Sequence, residues 1–159
     1  MLFSQILAAM KGAGSQWRAE VPESWAQGRT VFGGLQAAIA LRAMRGLVPD
    51  TPLRTLQVTF LAPVAAGCVT IRAACLRQGR SAIHVEASLC DGDQVLCRLL
   101  GVFGSARPSV LDFGPERATV AAAATAKELR HVEGLMPAFA RHFRARWLRG
   151  ELPFSGGTQ

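Results

Sequence analysis

Trp25-Ala-Gln-Gly-Arg-Thr-Val-Phe-Gly-Gly-Leu-Gln-Ala-Ala, residues 25–38, opens a helix on a glycine pair and continues it with small apolar residues. Gly33 and Gly34 carry no Cβ, so another backbone or a ligand can come close there. From Leu35 to Leu47 the chain holds strong helix formers and no charge before Arg42. A helix that is apolar nearly all round has to be buried. The spacing predicts this helix over 31–47, ending before Pro49. Four segments that alternate like strands follow it. One buried helix and a run of antiparallel strands predict an α+β chain whose sheet wraps around a single long central helix.

Working outward, residues 2–11 read as a short amphipathic helix that stops at Gly12-Ala-Gly, and Gln16 to Val21 as a first strand ended by Pro22. Leu56, Val58 and Phe60 share one face of a strand. After the turn at 62–67, Val69, Ile71, Ala73 and Cys75 line a second. Arg77-Gln-Gly-Arg-Ser reads as a tight turn. Ile83, Val85, Ala87 and Leu89 form the apolar face of the next strand, with His84, Glu86 and Ser88 opposite. Asp91-Gly-Asp makes a hairpin turn, and Val95 to Phe103 closes the series.

Beyond Arg107-Pro108 the texture changes. Residues 108–136 are mixed, with an Ala-rich patch at 121–126, and read as a connector carrying at most one helix. In 139–149, Phe139, Phe143 and Trp147 are four apart, which suits a helix stripe. Arg144, Arg146 and Leu148 alternate with Phe143, Ala145 and Trp147, which suits a strand.

The chain has 159 residues, half of them hydrophobic and 18% charged, enough for one domain with a core and too apolar for disorder. No apolar run reaches the ~18 residues of a membrane span. The first eleven residues have no basic region ahead of their apolar part, so they do not read as a signal peptide. Cys68, Cys75, Cys90 and Cys97 have no CxxC spacing and no neighbouring His pair. No metal site is expected, and the four read as reduced core residues of a cytoplasmic protein. The net charge is +7, and 16 of the 18 basic residues are arginine. That favours an anionic partner. Nucleic acid and a phosphate-bearing molecule such as coenzyme A both qualify, and arginine suits bidentate phosphate contacts. No helix-turn-helix or RNA-binding aromatic signature is present, so nucleic acid rests on charge alone and is not the expected partner.

Four pieces in order resemble the hotdog-fold thioesterase-like superfamily, of the acyl-CoA thioesterase II type: Gly28-Arg-Thr-Val-Phe-Gly-Gly, Phe60-Leu-Ala-Pro, Leu76-Arg-Gln-Gly-Arg-Ser, and Gly101-Val-Phe-Gly-Ser-Ala-Arg-Pro-Ser. The resemblance implies a hotdog domain over 1–109 and a connector over 110–136. Residues 137–159 are similar to the opening strand of a second, truncated hotdog unit. It also implies hydrolysis of acyl-CoA thioesters, with coenzyme A as part of the substrate and no separate cofactor. The alternative is a non-catalytic hotdog subunit that binds an acyl chain or supports a partner.

Thioester hydrolysis needs a polarised carbonyl and a base to activate water, or a carboxylate nucleophile. The start of the long helix, at Phe32, Gly33 and Gly34, supplies free amides and a favourable dipole for a carbonyl or phosphate. Arg77, Gly79, Arg80 and Ser81 form a second candidate substrate-binding group. Their arginines contact the phosphates of coenzyme A, fix the turn across a dimer interface, or belong to a solvated hairpin. The helix contains no acid. Gln36 can orient a water, and Glu86 is a candidate base. His84, Glu86 and Ser88 carry the residue types of a triad, but neighbours at i and i+2 on one strand lie about 7 Å apart. They read as an exposed face. Asp112 has no supporting pattern. The resemblance places the family's catalytic acid, Thr and Gln mainly in the second unit, so they map to no position here. An Asp–His pair of the kind hotdog hydratases use is also missing around the helix. Uncovered sheet edges predict a homodimer.

Overall fold

The computed structural model describes residues 1–111, 114, 126–148 and 150. Helix α1 (Phe3–Ala9) leads into a hairpin of β1 (Lys11–Ala13) and β2 (Gln16–Val21). A 3-10 turn at Glu23–Trp25 and the two-residue strands β3 (Ala26–Gln27) and β4 (Thr30–Val31) precede α2 (Gly33–Leu47). Strands β5 (Leu53–Phe60), β6 (Gly67–Gln78), β7 (Ala82–Asp91) and β8 (Gln94–Gly104) follow. They join β1 and β2 in one six-stranded antiparallel sheet of order β1-β2-β6-β7-β8-β5. No described helix is long and apolar enough to cross a membrane.

Helix α2 packs against this sheet. Leu35, Ile39, Ala40, Ala43 and Met44 are fully enclosed against Ile71, Val85, Ala87, Leu89, Cys97, Leu99 and Phe103. These residues obey a period near 3.6 in the helix and 2 in the strands, which is why the two patterns meet in one core. Close approach needs Gly101: a Cβ there would stand 3.1 Å from the Met44 sulfur. At its far end α2 stops before Pro49. There the Arg45 guanidinium donates to the carbonyls of Val48 and Thr51, complementing the negative end of the helix dipole.

The helix is shorter than the sheet it covers. Fifteen residues of helix span about 22 Å, whereas the twelve of β6 span about 40 Å. The last residues of β6, from Ala74 to Gln78, therefore run past the helix and are exposed. This corrects the expectation for two cysteines. Cys75 lies on the overrun and Cys68 on the face of β6 away from α2, and both are exposed; Cys90 and Cys97 are buried. Burial pushes the Cys97 thiol up to about 11. A thiol-alkylating reagent at pH 8 is expected to modify Cys68 and Cys75 in the folded protein, and all four only after denaturation. Mass spectrometry showing modified Cys97 in the folded protein would contradict the register of β8.

Other expectations shift in detail. Helix α1 is shorter than 2–11, because Lys11 to Ala13 pair with β2 instead. Gly12, at φ 138°, permits that hairpin; a Cβ there would sit 2.3 Å from the Gln16 carbonyl oxygen. Phe60 is 57% exposed rather than on a core face. The stretch read as a connector contains β9 (Lys127–Leu129), which pairs with β10 (Ala145–Trp147). Residues 138–142 between them form a 3-10 helix. The described part of the ambiguous 139–149 segment is thus a 3-10 turn followed by a strand, and that strand pairs within its own chain. Asp112, most of the Ala-rich patch and residues 151–159 lie outside the described residues.

Candidate active site at the start of the central helix

The turn at Gly28, with φ 63°, folds β3 and β4 back on each other. The Val31 amide donates to the Val64 carbonyl at 2.7 Å, and the Val64 amide donates to the Thr30 hydroxyl at 3.1 Å. These bonds clamp the loop after β5 onto the segment before α2. The Phe32 amide donates to the Trp25 carbonyl at 2.9 Å. Phe32 is the N-cap of α2 but offers no side-chain cap. Its carbonyl accepts from Leu35 and Gln36. Among the described residues, the amides of Gly33 and Gly34 have no acceptor, as expected for a first helical turn left open.

Beside this turn lies a cleft of about 510 Å³. Gln27, Arg29, Thr30, Gly33 and Gln36 line one side, and Phe60, Leu61, Ala62 and Pro63 the other. A Cβ on Gly33 would meet the Phe60 ring at 2.8 Å, so the absence of a side chain lets that ring lie over the helix start. Gln36 is 2% exposed. Its Nε2 donates to the Val31 carbonyl at 2.6 Å and to the Thr30 hydroxyl at 3.4 Å. That carbonyl fixes which end of the amide faces it. The Oε1 is then buried with no hydrogen-bond partner among the described residues. An acceptor left unpaired inside a protein costs about 1–3 kcal/mol, so its retention marks a place that a donor could occupy.

Aromatic rings from the C-terminal part of the chain form a wall against Phe32 and Trp25, just before α2. Phe139 stacks on Phe32 at 4.1 Å, and Phe143 meets Phe32 edge-on at 5.6 Å. The His142 ring stacks on Trp25 at 4.3 Å, and its Nε2 lies 3.1 Å from both the carbonyl and the hydroxyl of Ser24. Burial lowers the His142 pKa below its ordinary value of 6.5; the bond to Ser24 works the other way, and the Arg141 charge adds to the lowering. The folded state therefore prefers neutral His142. Its contribution is fully present above pH 6.5 and is lost as pH falls from there through the lowered folded value. Histidine NMR should show His142 titrating below a free imidazole. His142→Ala should remove the matching part of the stability loss on acidification and cost about 1 kcal/mol at pH 7.5.

The sequence-predicted residues do not converge within one unit. Phe32, Gly33, Gly34 and Gln36 meet at the helix start. The Gly79–Ser81 turn is joined to the other end of the sheet, where Ser105 donates to the Ser81 carbonyl and Gly104 to Pro52. The seven residue steps from Phe60 to Leu53 separate the two ends by about 23 Å. Glu86 is placed on the sheet face away from α2: its register partners are Ala74 and Leu100, and its neighbours Val85 and Ala87 point into the core. It shares that face with His84 and Ser88. Ser88, only 8% exposed, is shielded between Arg72 and Arg98 rather than open to solvent. Sequence reading missed the aromatic wall and Thr30. The one signal for the wall was the spacing of Phe139 and Phe143.

A long helix packed on a six-stranded antiparallel sheet, with a cleft beside its open N-terminus, defines a hotdog-class protein. The sequence model of the acyl-CoA thioesterase N-terminal domain matches residues 21–104, over half of the chain, and the chain belongs to that family. A hotdog-fold protein of unknown function from Alicyclobacillus acidocaldarius is similar with a TM-score of 0.76 and 24% identity, over 94% of this chain and 56% of that one. A Thermobifida fusca protein described as a thioesterase II matches at TM-score 0.69 and 12% identity, over 81% and 49%. The tesB protein of Mycobacterium avium subsp. paratuberculosis matches at 0.67 and 16%, over 78% and 49%. This chain therefore spans about half the length of those structures. No curated protein sequence matches it.

Proposed function

We propose that the chain is a hotdog unit of an acyl-CoA thioesterase. The observation that carries the reading is the pair of amides at Gly33 and Gly34, unpartnered among the described residues, the first of them lining a cleft with one apolar wall, in a chain of this family. The thioester carbonyl is received by those amides, and the acyl chain lies against Phe60, Leu61, Ala62 and Pro63. Water adds to the carbonyl carbon, and the oxyanion that forms is stabilised by donors already aimed at it. The C–S bond then breaks, and coenzyme A leaves as its thiol. The described lining holds no Asp, Glu or His, so the base that takes the water proton comes from a second unit.

A homodimer supplies that unit. Among the described strands β5 is hydrogen-bonded only to β8, so its other edge of eight residues has no partner there. Two-fold antiparallel pairing along β5 sets the Leu53 end of one copy beside the Phe60 end of the other. Arg77, Gly79, Arg80 and Ser81 of the second copy then approach the first copy's helix start, and their arginines meet the phosphates of coenzyme A. On this reading the protein works in the cytoplasm on acyl-CoA, with neither nucleic acid nor membrane as its partner.

The second reading is a non-catalytic acyl-binding or structural subunit, favoured by the lack of a base in the described lining. Release of free thiol from short, medium and long acyl-CoAs separates the two. Saturable turnover by a sample that sediments as a dimer supports the enzyme. A folded monomer without turnover overturns it.

A further inference from the structure

At the opposite end of the sheet, the register of β5 on β8 breaks once. Leu53 faces Phe103 and Thr55 faces Val102, so Arg54 is an extra residue, a β-bulge. Bulges re-aim a side chain. Here the Arg54 stem is laid across Gly104, where a Cβ would meet its Cγ at 3.1 Å, and its Nε donates to the Gly104 carbonyl at 2.8 Å. The guanidinium is thereby held through one nitrogen, leaving both terminal nitrogens as donors. Arg54 borders a concavity of about 500 Å³ whose other walls are Ser105, Ala106, Arg107, Pro108 and Ser109. The Ser105 hydroxyl has no bonding partner among the described residues, whereas the Ser109 hydroxyl is engaged with Leu111. Neither Arg54 nor Arg107 has a carboxylate within ion-pair distance among the described residues, and Asp50, near in sequence to Pro52, is not paired with them. The Ser105 amide ties this segment to Ser81 at 3.2 Å, which puts Arg80 at the same end.

An oriented arginine, a second unpaired arginine and a free hydroxyl around one hollow match the geometry of a phosphate group. We propose that Arg54, Arg107 and the Ser105 hydroxyl form a binding site for a phosphate dianion, as a diphosphate or phosphate monoester. The site does not rest on the thioesterase reading. Two sources share this chemistry: the phosphate-bearing end of a coenzyme A thioester, and free diphosphate.

Isothermal titration with inorganic pyrophosphate tests it on the full chain. Saturable binding is expected, weakened about tenfold in Arg54→Gln and in Arg107→Gln. Among the described residues Arg107 makes no hydrogen bond or ion pair, so its variant separates binding from folding. Arg18→Gln, an equal charge change on β2, should leave affinity within about twofold. Displacement of pyrophosphate by coenzyme A supports the site with the thioester as its source, and pyrophosphate binding that coenzyme A leaves untouched supports it with free diphosphate. Absence of saturable binding, or an equal loss in Arg18→Gln, overturns the site.

Discussion

Gly34→Val is expected to destabilise the protein by about 2 kcal/mol and to abolish acyl-CoA binding. A Cβ at Gly34 would fall 2.4 Å from Cε1 and 2.8 Å from Cζ of Phe32. That ring cannot simply turn aside, because Phe139 is stacked on it at 4.1 Å and Phe143 abuts its edge. The valine must displace the aromatic wall or the first turn of α2. Gly33 is the control. Its Cβ would meet only the tip of the Phe60 ring, which is 57% exposed and free to swing. Gly33→Ala should therefore change stability by no more than about 1 kcal/mol, with the clash offset by better helix propensity. Urea unfolding of both variants reads the difference directly. Equal stabilities would mean that Phe32 is not held by the C-terminal segment.

Gln36→Glu is expected to cost about 3 kcal/mol at neutral pH. The substitution changes almost no volume. It replaces the Nε2 donor facing the Val31 carbonyl with a carboxylate oxygen, at a site only 2% exposed. Two acceptors then face one another, and the charge is buried. The start of α2 repays only part of this, about 0.3–1 kcal/mol for a negative group near a helix N-terminus. A protonated glutamic acid can donate to Val31 where a carboxylate cannot, so the variant should regain stability as pH falls towards the ordinary glutamate range near ~4.3. In linkage terms, the folded state binds the proton more tightly, and stability is lost as pH rises from that range through the raised folded value. Gln36→Met, which removes the orphaned Oε1 along with the donor, should cost about 1 kcal/mol and show no such pH dependence. An unchanged midpoint for Gln36→Glu would mean that this side chain is open to water.

Local periodicity carries the elements whose partners are near in pattern. Gln16–Val21 alternates buried and exposed residues without a break, and α2 is apolar on nearly every side. The sheet around it follows from strands separated by short turns. What sequence could not show depends on distant pairs. His142 reaches Ser24 across 118 positions, and β10 pairs with a strand hidden in a stretch of mixed composition. The 139–149 stretch fitted both a helix stripe, through Phe139, Phe143 and Trp147, and a strand from Phe143 on; the structure has a 3-10 turn up to His142 and a strand from Ala145. At the site, the glycine pair and Gln36 were visible because a helix start and a lone polar residue on an apolar helix are local signals. That Arg77 and Arg80 stand a strand's length away from them depends on the register of β5, β7 and β8, which no window of sequence contains. Arg54 escaped notice for the same reason, since a bulge appears only once two strands are laid side by side.

The most direct test of ligand capture at the helix start is selective ¹⁵N labelling of glycine, followed by titration with octanoyl-CoA. The amide resonances of Gly33 and Gly34 should shift saturably, while those of Gly14 and Gly92 in distant turns stay in place. Saturable binding that leaves the Gly33 and Gly34 resonances unmoved would contradict the assignment of the thioester carbonyl to the start of α2.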